Sequence, residues 1–355
     1  MLNKVEGGFG KTLLTVQALR AIAAAMVVLH HLLTVIKQHS SHGTAGQWMG
    51  GTTGVDLFFV ISGLVMVTSS SGLATKHKAR TFLLRRIERI VPPYWVLTTI
   101  KVLLVLTIPA VFMKGLGSHW HIAASYLFLP AFNDGDYFPV LLAGWTLTFE
   151  MLFYFLFAAA LALSWPLIGF LSVTICLVAA GGVFVHPGGP GLVRLFDPIV
   201  LEFLYGVLLG YVVKAKRLPQ RSICLVLLIG GGATLMCLAS HQSMWARPFA
   251  CGLPAFAVVA GAVGLEGYAR DRLPLWLLEL GDSSYSLYLT HGLVIPVLFV
   301  FITRIRLTTP LETVGSVALE MFVCIAVGEL FYRLVELRII RFFRGRRRAA
   351  VPVVA

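Results

Sequence analysis

The chain has 355 residues, of which 58% are hydrophobic and 13% are charged, and its mean hydropathy is +0.85. These values exclude an ordinary soluble domain and predict an all-α, polytopic membrane protein. The formal net charge of +13 raises the question of nucleic-acid binding, so the placement of the basic residues along the chain has to be considered.

Ten apolar runs predict a helical bundle with about ten transmembrane helices. Most of them approach the ~20 residues that a helix needs to cross a bilayer. The predicted spans are 13–36, 54–70, 91–112, 144–163, 166–185, 194–213, 222–240, 248–266, 283–303 and 314–336. No segment between them is long enough to fold alone, so we expect one transmembrane domain over 1–340 and a short basic tail over 341–355.

Basic residues are concentrated on one side of these spans. With the N-terminus inside, the inner segments hold 20 lysines and arginines and the outer loops hold six. The positive-inside rule then places both termini in the cytoplasm. The charge is therefore a topology signal, together with a contact to anionic lipids, and not a nucleic-acid footprint. All five cysteines fall within or at the end of spans without paired spacing, which predicts packing residues rather than disulfides or metal ligands.

The first span carries ionisable side chains at membrane depth, where their cost indicates function. Arg20 and His31 are eleven residues apart and, at ~100° per residue, return to within about 20° of one helix face. His30 lies about 80° away from that face. The spacing favours His31 over His30 as the candidate catalytic residue, with Arg20 as a fixed positive charge on the same wall.

Two carboxylates enter the membrane from the outer side. Asp56 opens the second span and Glu150 lies near the start of the fourth, both at about the depth of His31. A carboxylate that orients an imidazole is the usual companion of a catalytic histidine. Asp56 is equally well placed to cap the N-terminus of its helix, and the two roles are compatible. We expect these three side chains to face one another or a water-filled cavity.

Arg86 and Arg89 precede the third span on its inner side. On a helix they are i, i+3 neighbours, which makes a two-pronged guanidinium site suited to phosphate. The competing interpretation is that they anchor the span by the positive-inside rule, as most such clusters do.

The ninth span carries a polar stripe. Ser284, Tyr288 and His291 follow an i, i+4, i+7 pattern beside Tyr285, which makes Tyr285, Tyr288 and His291 secondary site candidates. A buried histidine on such a stripe is more often a satisfied hydrogen-bonding group than a catalyst, so His291 ranks below His31.

Two further patterns predict packing rather than chemistry. Gly206 and Gly210 form a small-xxx-small face on the sixth span. In the tenth span Glu329, Arg333 and Glu336 are spaced for mutual pairing.

Five motifs follow one another along the chain: Leu-Arg-x10-His (Arg20, His31), Gly-Val-Asp-Leu-Phe-Phe-Val-Ile-Ser-Gly (54–63), Arg-x-x-Arg before Pro-x-Tyr (Arg86, Arg89), Trp-Thr-Leu-x-x-Glu-x-x-Phe-Tyr (145–154) and Tyr-Ser-Leu-Tyr-Leu-x-His (285–291). Together they closely resemble the acyltransferase family 3 of bacterial membrane O-acyltransferases, which act on exopolysaccharide, O-antigen, Nod factor and related glycans. The resemblance runs from about residue 15 to 340, and it makes 1–340 a single acyltransferase domain.

The resemblance implies that an acyl group, usually acetyl from acetyl-coenzyme A, passes from the cytoplasm across the bacterial inner membrane to a hydroxyl of a glycan or lipid-linked sugar. Arg86 and Arg89 would hold the phosphorylated nucleotide end of the donor. The pantetheine arm would reach up between the helices past Arg20. The implied partners are acyl-coenzyme A, the sugar acceptor and membrane lipids, with no metal.

The resemblance also implies roles for the intramembrane residues. His31 would be either the general base on the acceptor hydroxyl or the nucleophile that carries the acyl group, with Asp56 or Glu150 orienting it. Arg20 would stabilise thioester or oxyanion charge.

A transporter or flippase of lipid-linked glycans is the competing class, because intramembrane charges and ten helices suit it as well. The sequence has no convincing internal repeat and no matching pair of broken helices, which counts against a transporter without excluding it. A non-catalytic polysaccharide-binding or assembly subunit is a third alternative. Acetylation of an added glycan is expected only of the enzyme.

Overall fold

The computed structural model describes residues 13–37, 48–70, 76–111, 115–133, 135–185, 191–241, 243–302 and 309–349. Five of the basic residues counted in the loops lie outside these ranges, namely Lys4, Lys11, Lys114, Arg304 and Arg306.

Helices dominate the described ranges. They are α1 (Leu14–Lys37), α2 (Gly54–Ser69), α3 (Lys76–Thr107), α4 (His119–Tyr126), α5 (Gly144–Leu163), α6 (Leu167–Ala180), α7 (Leu201–Lys214), α8 (Arg221–Leu238), α9 (Leu253–Gly264), α10 (Glu266–Ala269), α11 (Leu275–Asp282), α12 (Ser284–Ile302), α13 (Pro310–Phe331) and α14 (Leu337–Ala349). Short 3₁₀ or π turns extend several of them, for example Met49–Thr53 before α2 and Pro248–Gly252 before α9.

The prediction of an all-α membrane bundle is confirmed. Each of the ten predicted spans falls on a helix, and eight helical segments in the described ranges are long and apolar enough to cross a membrane. The two shorter ones are Pro248–Gly264 and the 14-residue α7. The chain is therefore a polytopic helical membrane protein.

The third span begins earlier than its hydropathy predicts. Residues 76–90 are polar, yet α3 is one helix from Lys76 through Pro92 and Pro93 to Thr107. The hydroxyl of Tyr285 donates to the carbonyl of Ile90 at 2.8 Å, which ties α12 to α3 beside the two prolines. Arg86 and Arg89 are thus held rigidly on the same rod as the span.

The predicted small-residue face on the sixth span is confirmed, and it packs α7 against α2. A Cβ on Gly206 would lie 2.0 Å from the carbonyl oxygen of Val60, and a Cβ on Gly63 would lie 2.1 Å from that of Phe203. The two backbones therefore touch where both residues lack a side chain. This close approach fixes the depth of α2, which carries Asp56 and Ser62 towards the protein interior.

Stacked aromatic rings fill the space between α2, α3, α5 and α7. The ring of Phe203 stacks on Phe59 at 4.5 Å and on Phe153 at 4.6 Å, and Phe82 stacks on Phe157 at 4.8 Å between centroids. Offset stacking adds to the burial of these large rings. The result is a rigid wall on one side of the polar interior.

The long connection between α3 and α5 contains the short helix α4. The Ser118 hydroxyl accepts from the backbone N–H of His121 and caps this helix. The buried His121 ring lies 2.7 Å from the carbonyl oxygen of Leu116 and 2.9 Å from that of Phe138, which ties the segment together. Trp120 is 59% exposed, as expected of an interfacial anchor.

Candidate functional site

A cavity of about 110 Å³ lies inside the bundle between α1, α2, α3, α5 and α12. Its wall includes six of the predicted site residues: Arg20, Arg86, Arg89, Glu150, Tyr285 and Tyr288. These come from four helices distant in sequence, so the fold assembles them. We describe the cavity by its two ends, one lined by arginines and the other by Tyr288 and Thr146.

Three guanidinium groups gather at one end of the cavity, which we call the arginine end: Arg20 from α1 and Arg86 and Arg89 from α3. Arg86 donates to the hydroxyl of Ser69 at 3.3 Å and lies 5.8 Å from the ring centroid of Tyr154. No described carboxylate lies within 4.0 Å of any of the three guanidinium groups. The arginine end therefore carries concentrated positive charge without direct acidic partners.

Acidic groups stand near the arginine end without forming ion pairs to it. The buried Glu336 accepts from the hydroxyl of Ser286 at 2.6 Å, and Asp282 accepts from the side chain of Gln17. Burial raises the pKa of Asp282, while the nearby Arg20 and Arg89 oppose that rise. The predicted mutual pairing on the tenth span holds only for Arg333 with Glu329, because Glu336 turns inward to Ser286.

Glu150 lies in the middle of the cavity wall. Its carboxylate accepts from the Tyr154 hydroxyl one helical turn away and from the Ser62 hydroxyl of α2 at 3.3 Å. These two donors satisfy a buried carboxylate and hold it in place.

The other end of the cavity, which we call the histidine end, is closed by a hydrogen bond. The Tyr288 hydroxyl and the Thr146 hydroxyl, both on the cavity wall, lie 2.9 Å apart. The ring of His291 lies 5.6 Å from that of Tyr288, and the ring of His31 lies 5.0 Å from that of His291. Tyr288, His291 and His31 thus form a row of adjacent rings leading away from the cavity.

The tautomer of His31 follows from its surroundings. Its Nδ1 lies 2.8 Å from the carbonyl oxygen of Val27, which can only accept, so Nδ1 carries the proton. The lone pair is then on Nε2, the form required of a base or a nucleophile. His30 differs, because its Nδ1 donates at 2.8 Å to the carbonyl oxygen of Trp48, away from this row.

His291 is buried at 2% exposure, and its ring faces the backbone carbonyls of Leu287 and Tyr288 on its own helix. Its Nδ1 meets no acceptor at full hydrogen-bond geometry among the described residues. That His291 is a satisfied hydrogen-bonding group therefore stays a prediction.

Asp56 has a partner that the sequence analysis missed. Both of its carboxylate oxygens accept from Arg247, at 3.1 Å from Nε and 3.0 Å from Nη2, and Asp56 is fully buried. Arg247 also donates to the carbonyl oxygen of Thr52 at 3.4 Å and lies 5.9 Å from the ring centroid of Trp145. We had counted Arg247 among the basic residues of the outer loops. Only its position next to the apolar run that begins at Pro248 indicates from the sequence that it could be buried.

The structure therefore separates three residues that we expected to share one chamber. Glu150 lines the cavity, Asp56 binds Arg247, and His31 contacts His291. Position along each span predicts only the depth of a side chain in the membrane. The rotation of each helix about its axis decides which side chains meet. Arg20 in turn lies eleven residues from His31, about 16 Å along α1, so it belongs to the arginine end.

Comparisons with known proteins agree on one family. A family model described as an acyltransferase domain (Acyl_transf_3) matches residues 14–329. The exopolysaccharide production protein ExoZ of Rhizobium meliloti (strain 1021) is 32% identical over 320 residues, which cover 87% of this chain and 96% of that protein. The peptidoglycan O-acetyltransferase OatA of Listeria monocytogenes serovar 1/2a is 24% identical over 375 positions, which cover 93% of this chain and 57% of OatA. No solved structure matches.

Proposed function

Since the chain belongs to acyltransferase family 3 and is a membrane O-acyltransferase, we propose that it acetylates a hydroxyl of a cell-surface polysaccharide or of its lipid-linked precursor. The acetyl group would come from acetyl-coenzyme A on the cytoplasmic side of the bacterial inner membrane. The likeness to an exopolysaccharide production protein supports the acceptor class, and the likeness to a peptidoglycan O-acetyltransferase supports the acetyl ester.

One observation carries the proposal: a narrow cavity inside the bundle runs from a cluster of guanidinium groups to Tyr288, whose ring lies beside a pair of histidines. Arg20, Arg86 and Arg89 form the arginine end, and the Tyr288 ring separates the histidine end from His291. A donor with phosphates at one end and a thioester at the other matches this sequence of groups.

The residues at the arginine end fit coenzyme A in charge and in shape. Guanidinium groups bind phosphates by bidentate, charge-assisted hydrogen bonds, and those of Arg20, Arg86 and Arg89 have no carboxylate partner among the described residues. At about 110 Å³ the cavity is smaller than the ~300–1,000 Å³ of pockets that enclose a drug-sized ligand. It therefore suits the slender pantetheine arm, with the nucleotide held outside at the arginine end.

The chemistry proposed for the histidine end is acyl transfer to oxygen. With its proton on Nδ1, His31 offers Nε2 to take the proton of the acceptor hydroxyl as the oxygen attacks the thioester carbonyl. The carbon–sulfur bond then breaks, the sulfur takes the proton from Nε2 of His31, and coenzyme A leaves as the free thiol by the way it came.

The test is an assay in inverted membrane vesicles that contain the protein. Acetyl-coenzyme A labelled in the acetyl group is added outside, a polysaccharide fraction is enclosed in the lumen, and alkali-labile label on the polysaccharide is measured. We expect labelling with the wild-type protein and none with vesicles that lack it. An unlabelled polysaccharide in vesicles that contain the folded protein contradicts the proposal.

The same vesicles distinguish the competing class. A transporter or flippase of lipid-linked glycans moves its substrate between leaflets without consuming acetyl-coenzyme A, so accessibility of the glycan changes while no ester forms. Substituting propionyl- or succinyl-coenzyme A tests the acyl group, because the narrow histidine end favours the smaller acetyl.

A further inference from the structure

Three polar residues of α5 line the cavity at successive helical turns, namely Thr146, Glu150 and Tyr154. Thr146 belongs to the histidine end, because its hydroxyl lies 2.9 Å from that of Tyr288. Tyr154 belongs to the arginine end, because its ring lies 5.8 Å from the guanidinium group of Arg86. Glu150 is thus midway, about 6 Å along the helix from each of the other two. A ligand that reaches from one end of the cavity to the other has to pass this carboxylate.

The two carboxylate oxygens of Glu150 differ in their surroundings. Oε1 accepts both hydrogen bonds, one from the Tyr154 hydroxyl and one from the Ser62 hydroxyl at 3.3 Å. Oε2 has no hydrogen-bond donor among the described residues, and it is not sealed off from the cavity. Arg20 and Arg86 line the same cavity, but neither guanidinium group comes within 4.0 Å of this carboxylate. Oε2 is therefore available to an N–H or O–H group of a ligand.

The surroundings of Oε2 restrict the kind of ligand group that fits. Much of the cavity wall is apolar, with side chains such as Val55, Phe58 and Leu147. A polar group that enters such a space is costly unless it finds a hydrogen-bond partner. A phosphate or a carboxylate of the ligand would be repelled by Glu150, so the matching group is a neutral hydrogen-bond donor. The pantetheine arm of coenzyme A carries two such groups, the N–H of each of its amides.

We propose that Glu150 is a binding residue for the acyl donor, and that its Oε2 accepts the N–H of the pantetheine amide nearest the sulfur. This inference rests on the proposed function. Two carbons separate that amide nitrogen from the sulfur, so the thioester extends beyond the amide by about one helical turn. One turn of α5 is also the step from Glu150 to Thr146. The hydrogen bond would therefore set the depth of the arm and bring the thioester to the histidine end.

The experiment measures the equilibrium binding of coenzyme A and of two analogues to the purified protein. In the first analogue a CH₂ group replaces the amide N–H nearest the sulfur, and in the second it replaces the N–H of the other amide. The proteins are the wild type, Glu150→Gln, Glu150→Ala and Glu320→Gln. Glu320 supplies the matched control, because it is a buried carboxylate that accepts from the Ser316 hydroxyl at 3.0 Å but does not line the cavity. The unfolding temperature in detergent shows whether each variant is folded.

We expect the wild-type protein to bind the first analogue ~10–100-fold more weakly than coenzyme A, the usual effect of losing a hydrogen bond to a charged group. Both Glu150 variants should bind coenzyme A as weakly as the wild type binds that analogue, and they should not distinguish the two ligands. Glutamine keeps the shape of the side chain, but once its oxygen accepts from Tyr154 and Ser62, its amide nitrogen presents a hydrogen to the ligand instead of a lone pair.

Two further results are expected. The second analogue should bind more weakly than coenzyme A by the same factor in all four proteins, and Glu320→Gln should behave as the wild type with every ligand. When acetyl-coenzyme A is saturating, the Glu150 variants should transfer acetyl at a rate within a few-fold of the wild type, because Oε2 does not touch the reacting atoms.

Three results overturn the inference. The wild type could bind the first analogue as tightly as coenzyme A, a comparison that needs no variant to fold. The Glu150 variants could lose the same factor for coenzyme A and for the first analogue, which is the behaviour of a structural residue. They could also bind coenzyme A normally and lose transfer at saturating donor, which would place Glu150 in the chemistry. Failure of the proposed function looks different, because the wild type would then bind none of the three ligands and transfer no acetyl.

Discussion

The two ends of the interior hold their charges in opposite ways. At the arginine end, Arg20, Arg86 and Arg89 share a cavity wall with no carboxylate bound to them among the described residues. Near the histidine end, the carboxylate of Asp56 is bound at both oxygens by Arg247. A guanidinium group that lines a cavity without a bound carboxylate is available to a ligand, whereas a buried ion pair holds two helices together. The comparison assigns binding to the first cluster and scaffolding to the second.

The largest expected effect is on catalysis at the histidine end. His31→Ala should leave the protein folded and abolish acylation of the polysaccharide, because Nε2 is the lone pair that the reaction needs. The measurement is labelled acetyl on the polysaccharide, with the unfolding temperature in detergent as the control for folding. Product formation by this variant removes the assignment.

The second prediction concerns donor binding at the arginine end. Arg86→Ala combined with Arg89→Ala should weaken coenzyme A binding by ~10²–10⁴-fold, because each charge-assisted hydrogen bond contributes about 1.5–3 kcal/mol. Equilibrium binding of coenzyme A to the purified protein is the measurement. Arg85→Ala is the control, since Arg85 is exposed on the same helix and does not line the cavity. An unchanged affinity of the double variant would leave the pair as topology anchors.

The third prediction concerns stability near the histidine end. Asp56→Asn should lower the free energy of unfolding by about 3–5 kcal/mol, because the buried Arg247 loses the carboxylate that binds it at both oxygens. Adding Arg247→Gln should recover part of the loss, since the double variant buries no charge at this pair. The unfolding temperatures of the two single variants and the double variant form the cycle. Additive losses would show that the two side chains act independently.

The smallest effect is expected at the exposed ion pair of the tenth span. Arg333 is 63% exposed beside Glu329, so solvent screens the pair. Arg333→Gln should leave the unfolding temperature and the acylation rate unchanged, in contrast to Asp56→Asn. A clear drop in the unfolding temperature would mean that exposure is a poor guide to which charged pairs support this fold.

The sequence predicted the helices well because the signals for them are local. Hydropathy over ~20 residues locates a span, and helical spacing shows which side chains share a face. Gly206 and Gly210 likewise predicted a close helix contact, which α2 provides. The early start of α3 was missed, because Arg86 and Arg89 lie in a polar stretch that continues the apolar, membrane-spanning part of the same helix.

The candidate residues were also found from sequence, but their partners were not. The acidic motifs and the histidine of the first span pointed to a chamber holding His31, Asp56 and Glu150. The structure instead joins Asp56 to Arg247 across 191 positions and brings His291 to His31. No local pattern records such pairs, because they depend on how far each helix is rotated.

By itself, the amino-acid sequence determined that this protein is a membrane bundle of about ten helices, and it identified the ionisable residues within the spans. Only the tertiary structure decided which of those residues are free and which are bound to one another. The physical reason is that helix formation and membrane insertion depend on neighbours along the chain, whereas the compensation of a buried charge depends on whichever distant helix supplies the opposite one.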